Sequence, residues 1–209
     1  MPENRDVEIA GVVLAGGLSR RMGGVDKAFL PLGARPMIAH VLDRLAPQVA
    51  QIAINANGDT TRFAAFGTPV LADIVTGFAG PLAGIHLAMT WARSVDATHV
   101  ATAAADTPFL PTNLVSRLRD AGSGPRSVVI ARSARGTHPV FGLWPVDLES
   151  DLENWLTGGG SLRVTDWLQR HEPVECSFLP DENGTDPFFN VNTPADLAEA
   201  DEILAVMTS

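Results

Sequence analysis

The chain has 209 residues, 45% hydrophobic and 19% charged, a composition of a folded globular chain rather than a disordered one, and its length fits one domain over residues 1–209. A formal charge of −9 argues against general nucleic-acid binding, and no apolar run of about 18 residues is present to span a membrane. The single cysteine, Cys176, excludes an internal disulfide and a Cys-rich zinc site, so a reducing cytoplasmic setting is expected. The charged N-terminus lacks the apolar core of a signal peptide. Charge is also unevenly spread. Residues 1–144 hold thirteen basic and ten acidic side chains, and residues 145–209 hold two and fourteen. An anionic ligand can therefore be met at the first end of the chain.

In chain order, Ile9–Leu14 reads as a buried strand, followed by a glycine-rich loop to Lys27. Proline is tolerated at a first helical position, so Pro36 opens a helix over Pro36–Leu45. Gln51–Ala56 is the next strand, then a short helix around Thr61–Phe66 and a strand Pro69–Ala72. Gly80–Arg93 has helical apolar spacing, and His99–Ala105 returns to strand. A helix at Thr112–Ala121 precedes strands at Ser127–Ala131 and His138–Trp144. Two acidic helical stretches follow, Val146–Leu156 and Leu162–Arg170, then strands near Val174–Phe178 and Phe188–Val191. Thr193, Pro194 and Asp196 form a capping pattern for a last helix. Alternating strands and helices predict an α/β domain with a mostly parallel sheet covered on both faces. Ligands of such sheets bind beyond the carboxyl ends of strands, so the loops after Leu14, Ala56, Ala72 and Ala105 are the places to seek chemistry.

The first of these loops reads Leu14-Ala-Gly-Gly-Leu-Ser-Arg-Arg-Met-Gly-Gly-Val-Asp-Lys27. Its glycines allow close backbone approach to a ligand, and Arg20, Arg21 and Lys27 add charge for an anion. The same composition also describes a surface loop with solvated arginines. Walker A spacing is absent, because Ala28 follows Lys27, and no Gly-x-Gly-x-x-Gly can be placed.

Leu-Ala-Gly-Gly-x-x-x-Arg-Met-Gly followed by Lys27 resembles the loop shared by molybdenum cofactor transferases and sugar-nucleotide synthases. In its fuller form it is similar to the MobA-type guanylyltransferase family. Four more segments carry the resemblance: Ile54-Asn-Ala-Asn57, Gly80-Pro-Leu-Ala-Gly84, Asp106-Thr-Pro-Phe-Leu-Pro111 and Phe189-Asn-Val-Asn-Thr-Pro194. The resemblance runs from about Ile9 to Ala205. It implies a three-layer Rossmann-like nucleotidyltransferase fold, with residues 1–135 mainly binding GTP and Mg²⁺ and residues 136–209 mainly binding molybdopterin. It further implies transfer of GMP from GTP to molybdenum-molybdopterin with release of pyrophosphate. The product's recipients would be molybdoenzyme apoproteins or cofactor chaperones.

The resemblance also implies roles for particular residues. Leu14, Ala15, Gly16, Gly17, Lys27, Asn55, Asp73 and Asp106 would meet GTP, with Lys27, Arg21 and Asp106 catalytic and Asp106 the magnesium ligand. Arg163, Asn190 and Asn192 would meet molybdopterin. A carboxylate such as Asp73 can accept two hydrogen bonds from a guanine edge, which cytosine cannot offer in that arrangement. Several of these residues also have simpler readings. Asp106 can cap the turn after its strand, and Asn190 and Asn192 can bond their own backbone. Gly80 and Gly84 can serve helix–sheet packing, and Gly158–Gly160 can be a helix stop. His138 is a candidate for holding the pterin phosphate end, and reads first as a structural hydrogen bonder. His40, His86, His99 and His171 lack zinc-ligand spacing and read as structural. The four tryptophans read as core or interface anchors. A CTP-using sister enzyme and a non-catalytic nucleotide or cofactor carrier of the same fold remain as alternatives.

Overall fold

A computed structural model describes residues 8–16, 26–72 and 80–207. The strands are β1 (Ile9–Leu14), β2 (Pro31–Leu32), β3 (Arg35–Pro36), β4 (Gln51–Asn55), β5 (Val70–Leu71), β6 (His99–Ala104), β7 (Val129–Ser133), β8 (Gly136–Pro145) and β9 (Val174–Ser177). The α-helices are α1 (Met37–Leu45), α2 (Pro81–Ser94), α3 (Leu114–Ala121), α4 (Glu149–Thr157), α5 (Val164–Leu168) and α6 (Pro194–Met207). Seven strands form one sheet in the order β5-β4-β1-β6-β8-β7-β9, while β2 and β3 make a separate hairpin. All pairings in the large sheet are parallel except those of β8, which runs antiparallel to both β6 and β7.

Alternation along β1 sorts the two faces. Ile9 and Val13 join α1 and α3 side chains such as Ile38, Val41, Leu114 and Leu118 in one core. Ala10 and Val12 join Leu82, Ile85 and Met89 of α2, together with Leu152 and Trp167, in the other. A third, smaller core under α6 gathers Leu32, Met37, Phe109, Phe189 and Val191. The arrangement is the expected α/β sandwich of helix, sheet and helix. Trp144 and Trp167 are fully buried, as their anchor reading requires. The Trp144 indole N–H donates to Thr102 Oγ1 at 2.8 Å, and that hydroxyl donates to the Val140 carbonyl at 2.7 Å, so both buried polar groups are satisfied.

The sheet's irregularity positions the site. β6 pairs with β1 as far as Leu14↔Ala104, but its pairing with β8 stops at Thr102↔Gly142. On the other side of β8 the register with β7 jumps from Ile130↔Gly142 to Ala131↔His138, a bulge across Pro139–Phe141. Pro139 has no N–H for the ladder, and the extra residues turn this part of β8 away from β6. A gap therefore opens between the carboxyl end of β6 and the bulge.

Most elements fall where expected, with two corrections; the short helix expected around Thr61–Phe66 forms as a 3-10 helix over Thr60–Phe66. The Leu162–Arg170 helix shortens to Val164–Leu168. The Phe188–Val191 strand does not form. Asp186 accepts from the Phe188 N–H through its carboxylate at 2.8 Å and from the Phe189 N–H through its carbonyl at 3.0 Å, so these donors are lost to any ladder.

The cap of α6 forms as its sequence suggests. Thr193 Oγ1 accepts from the Asp196 N–H at 3.2 Å, and the Asp196 carboxylate accepts from the N–H groups of Asn192 and Thr193, each at 2.8 Å. Those donated bonds, that of Asn192 first, hold the Asp196 carboxyl below its ordinary range. Its contribution is thus complete above the ordinary carboxylate pKa and is lost as pH falls through the lowered value. Thr193→Ala should cost about 1 kcal/mol in denaturant melts at neutral pH. Asp196→Ala should destabilise at neutral pH and converge on the wild type in acid.

Candidate functional site

Three strand ends converge at the gap. The Ala15 N–H donates to the Asn55 carbonyl at 2.8 Å, and the Ala105 N–H donates to the Leu14 carbonyl at 3.0 Å, joining the loops after β1, β4 and β6. Between them lies a cleft of about 280 Å³ lined by Leu14, Gly16, Lys27, Asn55, Pro81 and Asp106, among others. A second hollow of about 430 Å³ adjoins it, lined by Thr107, Arg135, His138, Phe188, Asn192 and Asp196 among others. Ala104, Val140 and Asn190 line both, so the two share a wall made by the end of β6, the β8 bulge and the segment before α6.

Lys27 is delivered to this cleft by a local device. Asp26 accepts from the Ala28 N–H at 3.1 Å and starts the 3-10 turn Lys27–Phe29. The other Asp26 oxygen pairs with Arg62 at 3.0 Å, and the Arg62 guanidinium lies 5.2 and 5.4 Å from the ring centroids of Phe29 and Phe63. Phe29 packs on Phe63 with centroids 4.9 Å apart, which anchors the turn to the core. So held, the Lys27 ammonium donates to Asn192 Oδ1 at 2.5 Å and stands 3.7 Å from Asp106 Oδ2.

Asp106 follows β6, and its carbonyl accepts from the Val191 N–H at 2.9 Å, fastening the segment that carries Asn190 and Asn192 to the cleft. Burial pushes the Asp106 carboxyl above the ordinary range, against the opposing pull of Lys27. Its ionised form is therefore under-compensated and favours a further positive charge. The neighbouring Thr107 hydroxyl is buried with no hydrogen-bond partner among the described residues. A carboxylate with an amide group nearby is a hard oxygen set suited to a cation such as Mg²⁺.

The structure thus brings together Leu14, Ala15, Gly16, Lys27, Asn55, Asp106, Asn190 and Asn192. Asn55 is buried and donates to the Leu71 carbonyl at 3.3 Å. Gly84 matches its packing reading, because a Cβ there would lie 2.7 Å from Asn55 Oδ1 and 3.1 Å from Leu14 Cδ2. Gly17, Arg20, Arg21 and Asp73 lie outside the described residues. Arg163 is placed elsewhere: it is the exposed residue just before α5 and lines neither cavity. Gly158 ends α4, consistent with the helix-stop reading.

His138 also matches its structural reading. Ser133 donates its one hydroxyl proton to Asp186 at 2.8 Å, so the His138 Nε2–H must donate to Ser133 Oγ, also at 2.8 Å. Burial holds the imidazole pKa below its usual value, and the ring stacks on Phe188 with centroids 4.4 Å apart. Residues missed from the sequence include Arg62 and Arg135, which line or brace the two cavities. Asp26 directly before Lys27 offered a signal as a turn-capping residue. Arg62 and Arg135 offered none, because only the fold brings them near.

Residues 11–174 match the MobA-like NTP transferase domain family. A molybdenum cofactor guanylyltransferase of Mesorhizobium japonicum is 50% identical over 97% of this chain and 99% of its own length. A protein of the same name from Rhizobium leguminosarum is 49% identical over 96% and 95%. Among solved structures, molybdopterin-guanine dinucleotide biosynthesis protein A from Archaeoglobus fulgidus superimposes with a TM-score of 0.72 at 23% identity, covering 95% of this chain and all of that one. A manganese complex from Mycobacterium tuberculosis gives 0.66 at 22%, covering 93% and 98%.

The close approach at Gly84 has a measurable consequence. Gly84→Ala should lower stability by about 1–3 kcal/mol through overpacking against Asn55. Urea melts with nucleotide titrations should show weakened binding alongside, since Asn55 lines the cleft.

Proposed function

The chain belongs to the MobA-like NTP transferase family and is a nucleotidyltransferase, and from that premise we propose that it transfers GMP from GTP to molybdenum-molybdopterin. A terminal phosphate oxygen of the acceptor bonds to the GTP α-phosphorus as the α–β bridging bond breaks, and pyrophosphate leaves. The nucleophile is ionised at neutral pH, so no general base is needed. The observation that carries this reading is Lys27 held between Asp106 and Asn192, where two cavities share a wall.

Each part of the chain then has a task. Residues 1–135 supply most of the nucleotide cleft, and residues 136–209 supply most of the second cavity, where Asn190 and Asn192 meet the acceptor. Leu14, Ala15 and Gly16 offer backbone to GTP, joined by Gly17. Lys27 and Arg21 hold the triphosphate, and positioning of the two anions is the main catalytic work. Asn55 and Asp73 contact the nucleoside, with Asp73 on the guanine edge. Asp106 would hold Mg²⁺, which when bound offsets phosphate charge. The product would pass to apoenzymes or cofactor chaperones in the cytoplasm.

Pyrophosphate release with Mg²⁺, molybdopterin and either GTP or CTP tests the reading. Turnover is expected with GTP alone; CTP turnover would reverse the base assignment, and nucleotide binding without pyrophosphate would leave a carrier. Asp106→Ala should abolish turnover in a folded protein, and full activity would remove Asp106 from the mechanism. In the wild type, protons compete with the cation for Asp106. Burial raises the pKa of the cation-free carboxyl, so the acid limb of a pH–rate profile should move to lower pH as Mg²⁺ is raised.

A further inference from the structure

On the far face of the sheet core, α2 and α4 pack together with a polar cluster between them. His86, Thr90 and Arg93 follow one another at helical spacing on α2. Glu149 and Glu153 are one turn apart on α4. Thr90 Oγ1 lies 3.1 Å from the His86 carbonyl and 3.3 Å from Glu149 Oε1, with one proton to share between them, and Glu149 Oε2 lies 3.3 Å from Arg93. These contacts aim the Glu149 carboxylate at His86. One ligand atom from each of His86, Glu149 and Glu153 lies within 4.8 Å of the other two.

His86 supplies a second, independent observation. Its side chain is 5% exposed, and Nε2 is buried without a hydrogen-bond partner among the described residues, although Glu149 Oε1 is only 3.4 Å away. The pair is close but not aligned for a hydrogen bond. An orphaned buried nitrogen is costly. A separation of 3.4 Å is, however, close to the ligand–ligand edge of about 3.3 Å around a tetrahedral ion with bonds near 2.05 Å. We propose that His86, Glu149 and Glu153, with solvent as the fourth ligand, bind a divalent transition ion of the zinc type at a site separate from the Asp106 cleft.

The donor set selects the class of ion. An imidazole nitrogen with two carboxylates suits Zn²⁺ and its first-row neighbours, whereas Mg²⁺ prefers oxygen ligands and retained water. Arg93 holds Glu149 through Oε2 and leaves Oε1 toward His86, fixing the carboxylate as outer-shell partners of metal ligands do. Glu153 is exposed and gives the ion a path in from solvent. The bound ion would clamp α4 to α2, whose first residue, Pro81, lines the nucleotide cleft.

Chelator-treated full-length protein should be titrated with Zn²⁺ by calorimetry and with Co²⁺ by visible absorption, in the wild type and in Asp106→Asn. Both should bind one ion with a tetrahedral Co²⁺ spectrum. At about a hundredfold excess over Kd the melting temperature should rise by about 5–10 °C. His86→Asn should lose that binding and spectrum. Glu153→Gln, a change at an exposed position, should weaken it at least about tenfold while leaving GTP turnover unchanged. If His86→Asn fails to fold, the Glu153→Gln titration decides alone. Zn²⁺ binding that disappears in Asp106→Asn, or persists undiminished in Glu153→Gln, would overturn the proposal and leave His86 and Glu149 as a plain side-chain contact.

Discussion

The site depends on one ammonium group held across a gap. Lys27 leaves the loop after the first strand, donates to Asn192 before the last helix, and faces Asp106 at the end of β6. These residues are 165 and 79 positions away in the chain, so no local interaction could assemble them. The group is partly buried, and its electrostatic interactions are correspondingly stronger than in water. The Asp26–Arg62 pair and the Phe29–Phe63 contact fix the lysine's starting point. The Val191–Asp106 backbone bond fixes its destination.

The gap itself comes from a topological exception. An uninterrupted parallel sheet would pair β6 on both sides to its carboxyl end. Here an antiparallel strand takes one side, stops pairing at Gly142 and bulges at Pro139–Phe141. Val140 thereby becomes a common wall of two cavities. One cavity draws on the parallel half of the sheet and the other on the bulged strand and the acidic end of the chain. Two anionic substrates can meet at such a wall only if positive charge is placed there. The net charge of −9 conceals this, because the needed charge is concentrated around the first loop while the acidic surplus lies after residue 144.

Much of this was legible in the sequence, for physical reasons that differ by element. β1 and β6 are short apolar runs bounded by polar loops, and Thr193-Pro-Ala-Asp196 carries its cap in four residues. Asp106 was visible because a carboxylate directly follows an apolar strand. The Phe188–Val191 segment misled because its apolar residues are buried without a ladder, their donors taken by Asp186. Arg163 follows the Gly158–Gly160 run in sequence, and the fold sets it exposed just before α5, away from the lining of the two cavities. His86, Glu149 and Glu153 could not be read as a set, since their spacing along the chain has no metal-ligand pattern and only α2–α4 packing joins them.

The most direct test of the central claim is a double-mutant cycle on GTP affinity with Lys27→Met, Asn192→Ala and the pair, measured by calorimetry. If Asn192 acts by holding Lys27 in place, Asn192→Ala should weaken GTP binding in the wild type and change little once Lys27 is gone. The coupling should be about 0.5–3 kcal/mol. Additive losses would contradict the account, because they would mean that the two side chains meet the nucleotide independently.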